Sequence, residues 1–368
     1  MDNIKTPMKI KILYIIPNMA KNSGVSSVII NYLKNINKEI FQIDFLLMKK
    51  YKESYEKELK ENGSNIFYLK NKFSIISTKT LKKEVEEFYK NNNYDIVELH
   101  APTFSFIFLK IAKKCKIPIR IMHTHSTIRS TNKIKNIISK ILNYNFKTYT
   151  NIFFACSEKS GKYWYGKKIC KNDNYKVIKN GINIDQYYPN NELRENLRKQ
   201  YNIADNRVIG FVGRVSKDKN LPFLIQVIRE IIKIDKNYKV MIIGDGQELD
   251  NIKNMSKDIK ENIIFMGNRN DVNKLLNCID ILVLPSKREG LPMVAIEAQL
   301  TNIQCYLSDT ITREVDLGKA EFLKLSKKVW VEKILHNSTN NINNEIDREK
   351  FNIDICVKEL EKIYDEII

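Results

Sequence analysis

The chain has 368 residues, 43% of them hydrophobic, with a mean hydropathy of −0.37 and a net charge of +19. That length is too great for one ordinary core and predicts two domains of roughly 180 residues each, and the absence of any run near ~18 apolar residues excludes a membrane-spanning helix. The charge leaves three explanations open, namely nucleic-acid binding, attraction to an anionic membrane surface, or lysines spread over solvated faces, and no single basic block dominates.

Met1 to Pro7 carry no apolar core of the kind a signal peptide has, which predicts a cytoplasmic protein. Lys9 to Ile16 then reads as the first strand. The turn Asn18 to Ser27 leads into a helix over Ser26 to Asn35, and Gly24 in that turn lets the backbone face a phosphate or an acceptor. Further strands are predicted over Phe41 to Met48, Asp95 to Leu99, Ile117 to His123 and Asn151 to Cys156. Between them Thr80 to Lys90, Phe104 to Lys114 and Lys133 to Phe146 read as helices, an alternation that argues for a parallel sheet covered on both faces. His123 and His125 stand two apart at a strand end and so face one side. A metal there needs a further ligand, for which His100 is the candidate; sugar binding and a structural role are the other readings. Cys115, Cys156, Cys170, Cys278, Cys305 and Cys356 lack C-x-x-C spacing, which predicts reduced thiols and neither disulfides nor zinc. Lys159 to Lys168 alternates basic and aromatic residues, as base stacking or lipid headgroups would use, or as a helix end with packed aromatics would.

Polar Asn183 to Asn206, with Pro189, is the linker candidate. Beyond it the βα theme repeats with strands over Arg207 to Gly213, Tyr238 to Gly244, Asn262 to Gly267, Ile279 to Leu284 and Ile303 to Ser308. The loop after the first of these carries Arg214 and Lys219, a fork and a point charge suited to phosphate oxygens. Gly244 to Glu248, and Gly267 to Asp271 with Arg269, also follow strands, though turn glycines explain both segments equally well. Pro285-Ser-Lys-Arg-Glu-Gly-Leu-Pro-Met-Val-Ala-Ile-Glu-Ala-Gln299 reads as loop then helix, with Gly290 allowing close backbone approach and Pro292 at the first helical position. Free amides at that helix start, beside Glu289 and Glu297, suit a phosphorylated ligand whose hydroxyls two carboxylates hold. Asn337 to Asn344 reads as a loop and Cys356 to Ile368 as an amphipathic helix.

Glu289 and Glu297 with seven residues between them, Gly213-Arg-Val-Ser-Lys-Asp-Lys-Asn220, Phe154 to Glu158, Val177 to Ile182 and Leu307 to Glu314 stand in the order of one family. From residue 9 to about 330 the chain resembles the retaining GT-B glycosyltransferases of family 4, and within them the capsule and exopolysaccharide branch. The resemblance implies an α/β fold of two Rossmann-like, doubly wound lobes with an inter-lobe cleft and a C-terminal crossover helix. It places an acceptor-binding domain at residues 1–190, a nucleotide-sugar-binding domain at 191–350, and a helix returning to the first domain at 351–368. Where the family has two adjacent glycines in the first turn, this chain has Ser23-Gly24.

By the same resemblance, a hexosyl group moves from a nucleoside-diphosphate sugar, with uridine as the expected base, to a polyprenyl-diphosphate-linked oligosaccharide. Glu289, His125 (with His123 as its alternative over the donor sugar), Arg214 and Lys219 are the expected catalytic residues, and Glu297, Gly290, Leu291, Met293, Val294, Gly24, Gly244 and Arg269 the expected donor contacts. No D-x-D motif is present, so neither metal nor cofactor is expected. The expected partners are the donor, the glycan acceptor and an anionic membrane surface, with no nucleic acid. A GT-B epimerase or phosphorylase is the rival enzyme reading, and a basic nucleic-acid- or membrane-binding protein the rival of another class.

Overall fold

The computed structural model describes residues 9–21, 23–71, 78–127, 133–336 and 346–368. The loop expected over Asn337 to Asn344, like Met1 to Pro7, lies outside them. The described chain divides into two compact units, residues 1–182 with 351–368, and residues 183–350.

The first unit is built on β1 (Ile10–Ile16), β2 (Phe41–Leu47), β3 (Ile66–Tyr68), β4 (Ile96–Leu99), β5 (Ile119–Thr124), β6 (Ile152–Ala155) and β7 (Tyr175–Val177). They form one sheet in the order β3-β2-β1-β4-β5-β6-β7, every pair parallel. The second unit holds β8 (Arg207–Val212), β9 (Tyr238–Ile243), β10 (Ile263–Gly267), β11 (Ile281–Leu284), β12 (Gln304–Ser308) and β13 (Ala320–Leu323). Their order is β10-β9-β8-β11-β12-β13, again all parallel. Each sheet thus starts in its middle, runs to one edge, and returns to continue on the other side. That reversal leaves a switch point where ligands bind in doubly wound sheets, between β1 and β4 and between β8 and β11. Central strands such as Ile281–Leu284 are buried along their whole length, which is why they read as unbroken apolar runs. Helices cover the sheets, and the closing helix Ile353–Ile367 buries Cys356, Val357, Leu360 and Tyr364 within the first unit.

The expected linker Asn183 to Asn206 is no linker. Residues Asn191–Gln200 form a helix whose Arg198 is buried and donates to Asp280 at 3.2 Å, while Asp280 also accepts from the backbone amide of Val208 at 2.7 Å. Asn190 donates its backbone amide to Asn277 Oδ1 at 2.8 Å, and Arg348 donates to the carbonyl of Tyr187 at 2.9 Å. These contacts tie residues 183–190 to the second unit, so the division falls at 182/183 rather than at 190/191.

Candidate active site

In the second unit the loops leaving β8 and β11, neighbours at the switch point, are stitched together. Asn220 takes a left-handed conformation (φ 58°) and donates Nδ2 to the carbonyl of Pro285 at 3.1 Å. Asp218 accepts from Arg288 at 2.6 Å, and its carbonyl accepts from the Lys287 amide at 2.8 Å. Within this frame Lys219 Nζ lies 2.5 Å from Glu289 Oε1, which also accepts from Ser286 Oγ at 2.7 Å. Two residues 70 apart in sequence therefore meet as an ion pair, both half-buried, at the carboxyl end of the sheet.

The helix beyond this loop is Met293–Leu300, so Pro292 is its N-cap and not its first helical residue as expected. Its ψ of 102° is extended, and the first turn starts only when the chain has left that conformation. No side chain caps this helix, which leaves the amides of Met293 and Val294 to a ligand. Leu291 is buried, so what it can offer there is backbone, with Gly290 beside it half-buried. Glu297 falls in the second turn; burial pushes its carboxyl up to about 7, against a hydrogen bond from Tyr187 that favours the ionised form.

The remaining expected site residues of this unit are Arg214, expected as catalytic, and the expected donor contacts Gly244 and Arg269. Arg214 is exposed in the loop after β8. Gly244 follows β9 with φ 134°, its amide donating to the carbonyl of Gly267 at 2.7 Å, and a Cβ there would lie 2.1 Å from the carbonyl oxygen of Gly213. Arg269 sits past the edge strand β10, two strands from the switch point, where Asp271 accepts from it at 2.7 and 2.8 Å.

In the first unit Gly24 opens the helix Gly24–Asn35, which Ser23 caps by accepting from the amide of Ser26. A Cβ at Gly24 would meet nothing within 4 Å, so the glycine leaves open space beside the turn after β1. His125 lies just past β5 and shares a 2.8 Å hydrogen bond between its Nε2 and His100 Nδ1. His123 Nδ1 lies 2.7 Å from Glu98 Oε1, whose other oxygen accepts from Tyr364 at 2.6 Å, and Tyr364 is 2.6 Å from Tyr14 Oη. Sequence reading missed Glu98, Tyr14 and Tyr364. The available signal was an acid two residues before His100 in an apolar strand, facing the same side.

Burial lifts Glu98 to about 8 and lowers His123 to about 3; burial and then the neighbouring rings hold His100 well below the usual range, and His125 likewise. Those shifts favour a protonated Glu98 beside neutral imidazoles, with one proton between Glu98 Oε1 and His123 Nδ1. His100, His123 and His125 place one candidate ligand atom each within 4.8 Å of one another. Their rings stack, His123 on His125 with centroids 4.1 Å apart, and both His100 and His123 spend Nδ1 on hydrogen bonds. The stacked rings do not radiate from one point, but Nε2 of His100, Nε2 of His123 and Nδ1 of His125 are buried without a hydrogen-bond partner, so each ring keeps one nitrogen for a ligand. The aromatic stretch after Lys159 takes its structural reading in two of its three aromatics: Trp164 and Tyr165 are buried on the helix Glu158–Tyr165, with Trp164 Nε1 donating to the carbonyl of Ser126 at 2.7 Å, while Tyr163 is exposed.

Two family models match the chain: Glycosyltransferase Family 4 over residues 22–186 and Glycosyl transferases group 1 over residues 193–312. The chain is 26% identical over 361 residues to the capsular polysaccharide biosynthesis glycosyltransferase CapM of Staphylococcus aureus, covering 89% of this chain and 93% of that one. It is 27% identical over 329 residues to a UDP-Gal:alpha-D-GlcNAc-diphosphoundecaprenol alpha-1,3-galactosyltransferase of Escherichia coli, covering 82% and 80%. The crystal structure of Anabaena HepE in complex with UDP and glucose superposes with a TM-score of 0.78 at 16% identity, covering 97% of this chain and 100% of HepE.

Proposed function

The chain belongs to the family 4 glycosyltransferases of GT-B fold, and from that premise we propose that it moves a sugar, with retention of anomeric configuration, from a UDP-sugar to a glycan carried on a polyprenyl diphosphate. The observation that carries this reading is the Lys219–Glu289 pair at the switch point of the second unit. A lysine there can turn to a diphosphate oxygen while the glutamate it releases accepts hydroxyls of the donor sugar.

In the proposed reaction the bond between the anomeric carbon and the diphosphate breaks, and a bond from that carbon to an acceptor hydroxyl oxygen forms on the same face. The departing phosphate takes the acceptor proton, so no protein base is needed. Lys219, Arg214 and the amides of Met293 and Val294 stabilise the charge that builds on the diphosphate, the contribution that usually dominates catalysis. Glu297 accepts from the ribose hydroxyls, and His125 meets the donor sugar. The UDP bound in the HepE complex supports uridine as the base, and the diphosphoundecaprenol in the name of the E. coli relative supports a lipid-linked acceptor. The protein then works peripherally at the inner face of the plasma membrane. Among the described residues no helix is long and apolar enough to cross a membrane.

The test is the thermal midpoint of the purified protein with UDP, GDP or ADP, in wild type and Glu297→Ala. Saturation at one hundred times Kd adds about 2.7 kcal/mol to folded-state stability. A shift with UDP that fades in the variant is expected. An equal shift in the variant would remove Glu297 from the ribose, and a shift with GDP or ADP alone would overturn the base.

A further inference from the structure

The helix Lys133–Leu142 is built inside out. Its inward side is polar: Ser139 is buried, and Asn143 just beyond the helix is buried with Oδ1 accepting from the Phe106 amide at 3.2 Å and Nδ2 donating to the carbonyl of Thr103 at 2.9 Å. The apolar residues face outward. Ile134 is 69% exposed, Ile137 59%, Ile138 45% and Ile141 68%, positions three, four and seven apart that make one helical face. Leu142 and Tyr144 extend the patch, with Tyr144 82% exposed. Of the thirteen exposed large apolar residues among those described, six fall between Ile134 and Tyr144, so the patch is not ordinary scatter.

The segment that carries it has charge of one sign. From Leu99 to Ser157 the sequence has ten lysines and arginines and no aspartate or glutamate. Lys140 and Lys147 are exposed beside the isoleucines, and Lys113 reaches the same region by donating to the carbonyl of Thr148 at 2.6 Å. A second copy of the chain is a poor occupant, because a two-fold contact would set this cationic region against itself. An apolar helical face bordered by cations fits a surface whose interior is hydrocarbon and whose rim is negative.

We propose that Lys133–Leu142 docks the protein on an anionic phospholipid surface, with the isoleucines among the acyl chains, Tyr144 at the interface and the lysines at the headgroups. This deepens the peripheral-membrane part of the proposed function, and lipid binding is read without any sugar or nucleotide. The experiment is sedimentation of the full chain with vesicles of phosphatidylglycerol mixed with phosphatidylcholine, and with phosphatidylcholine alone, for wild type, Ile137→Gln/Ile141→Gln and Lys140→Glu. Wild type should partition onto the anionic vesicles, the double variant should lose at least about tenfold in partition coefficient, and Lys140→Glu should lose several-fold. Wild-type partitioning in the double variant would overturn the proposal, as would a wild-type dimer in solution that the double variant splits. The UDP-induced thermal shift should be the same in all three proteins. Loss of that shift in wild type itself would instead mark failure of the donor reading and leave the vesicle result standing.

Discussion

Replacing Glu98 by glutamine exchanges a buried acid for an amide of the same shape. Glu98 is 1% exposed on β4, receiving a hydrogen bond from Tyr364 on one oxygen and meeting His123 Nδ1 on the other. Its folded-state pKa is about 8 against an ordinary 4.5, because burial penalises the charge. Near neutrality the native protein therefore keeps a proton that the unfolded chain has released. The introduced amide reproduces the protonated pattern, donating to His123 and accepting from Tyr364. Between pH 4.5 and about 8 the folded state binds more protons than the unfolded state, so wild-type stability falls as pH rises. The contribution is fully present below the unfolded pKa, lost as pH rises through the folded pKa, and level above it. At about 1.4 kcal/mol per unit, the loss is about 3 kcal/mol near neutrality and about 5 kcal/mol above pH 8. Glutamine has no such loss, and contributions from other groups cancel in the comparison. Glu98→Gln should match wild type near pH 4.5 and exceed it increasingly up to pH 8. At about 2–4 °C per kcal/mol for a unit this size, the gain near neutrality is roughly 6–12 °C in thermal midpoint. The assay is the midpoint of both proteins from about pH 5 to about pH 9. A variant less stable than wild type at the alkaline end would refute the reasoning, since it would mean that Glu98 is ionised and paired with protonated His123 or His100.

Lys219→Met and Glu289→Gln should each lower transferase kcat by about 10²–10³-fold, while Glu289→Gln keeps the nucleotide-induced thermal shift. Because burial pushes Glu297 up to about 7 and the carboxylate is the better acceptor for ribose hydroxyls, UDP affinity measured by calorimetry should rise more steeply with pH through that value in wild type than in Glu297→Gln, where only the ionisation of the UDP terminal phosphate near about pH 6 remains. Gly244→Ala should cost more than about 2 kcal/mol in denaturant unfolding, since its φ of 134° and the Gly213 carbonyl 2.1 Å from a Cβ both oppose a side chain. Gly24→Ala, with nothing within 4 Å, should leave stability within about 0.5 kcal/mol and show its effect in activity.

The two sheets were legible wherever burial runs the length of a strand. Ile12 to Ile16 and Ile281 to Leu284 are apolar because helices cover both faces, and no solvent side interrupts the run. Reading failed at the sheet margins. β3, β7 and β13 have three or four residues and pair on one side alone, and Tyr175-Lys-Val177 carries too little pattern to separate from a loop. It failed again at Asn183 to Asn206, where polarity looked like a linker. Those polar groups are spent inside the second unit, with Arg198 buried against Asp280, a partner 82 residues away that local sequence cannot reveal.

The same distinction separates the two candidate sites. Glu289, Gly290, Met293, Val294 and Glu297 follow one another through a single strand, loop and helix, so their spacing in sequence is already their spacing in space, and one parallel neighbour adds Lys219. The histidine cluster draws His123 and His125 from one strand end, Glu98 and His100 from the next, Tyr14 from a third, and Tyr364 from the closing helix. No local pattern encodes that convergence; it exists only once the parallel order β1-β4-β5 is formed and the last helix has packed in the first unit. A buried acid that holds its proton near neutrality is costly in the unfolded-to-folded balance, by the several kcal/mol that Glu98→Gln should recover. Its placement against His123, which stacks on His125, follows from the sheet order and not from any motif.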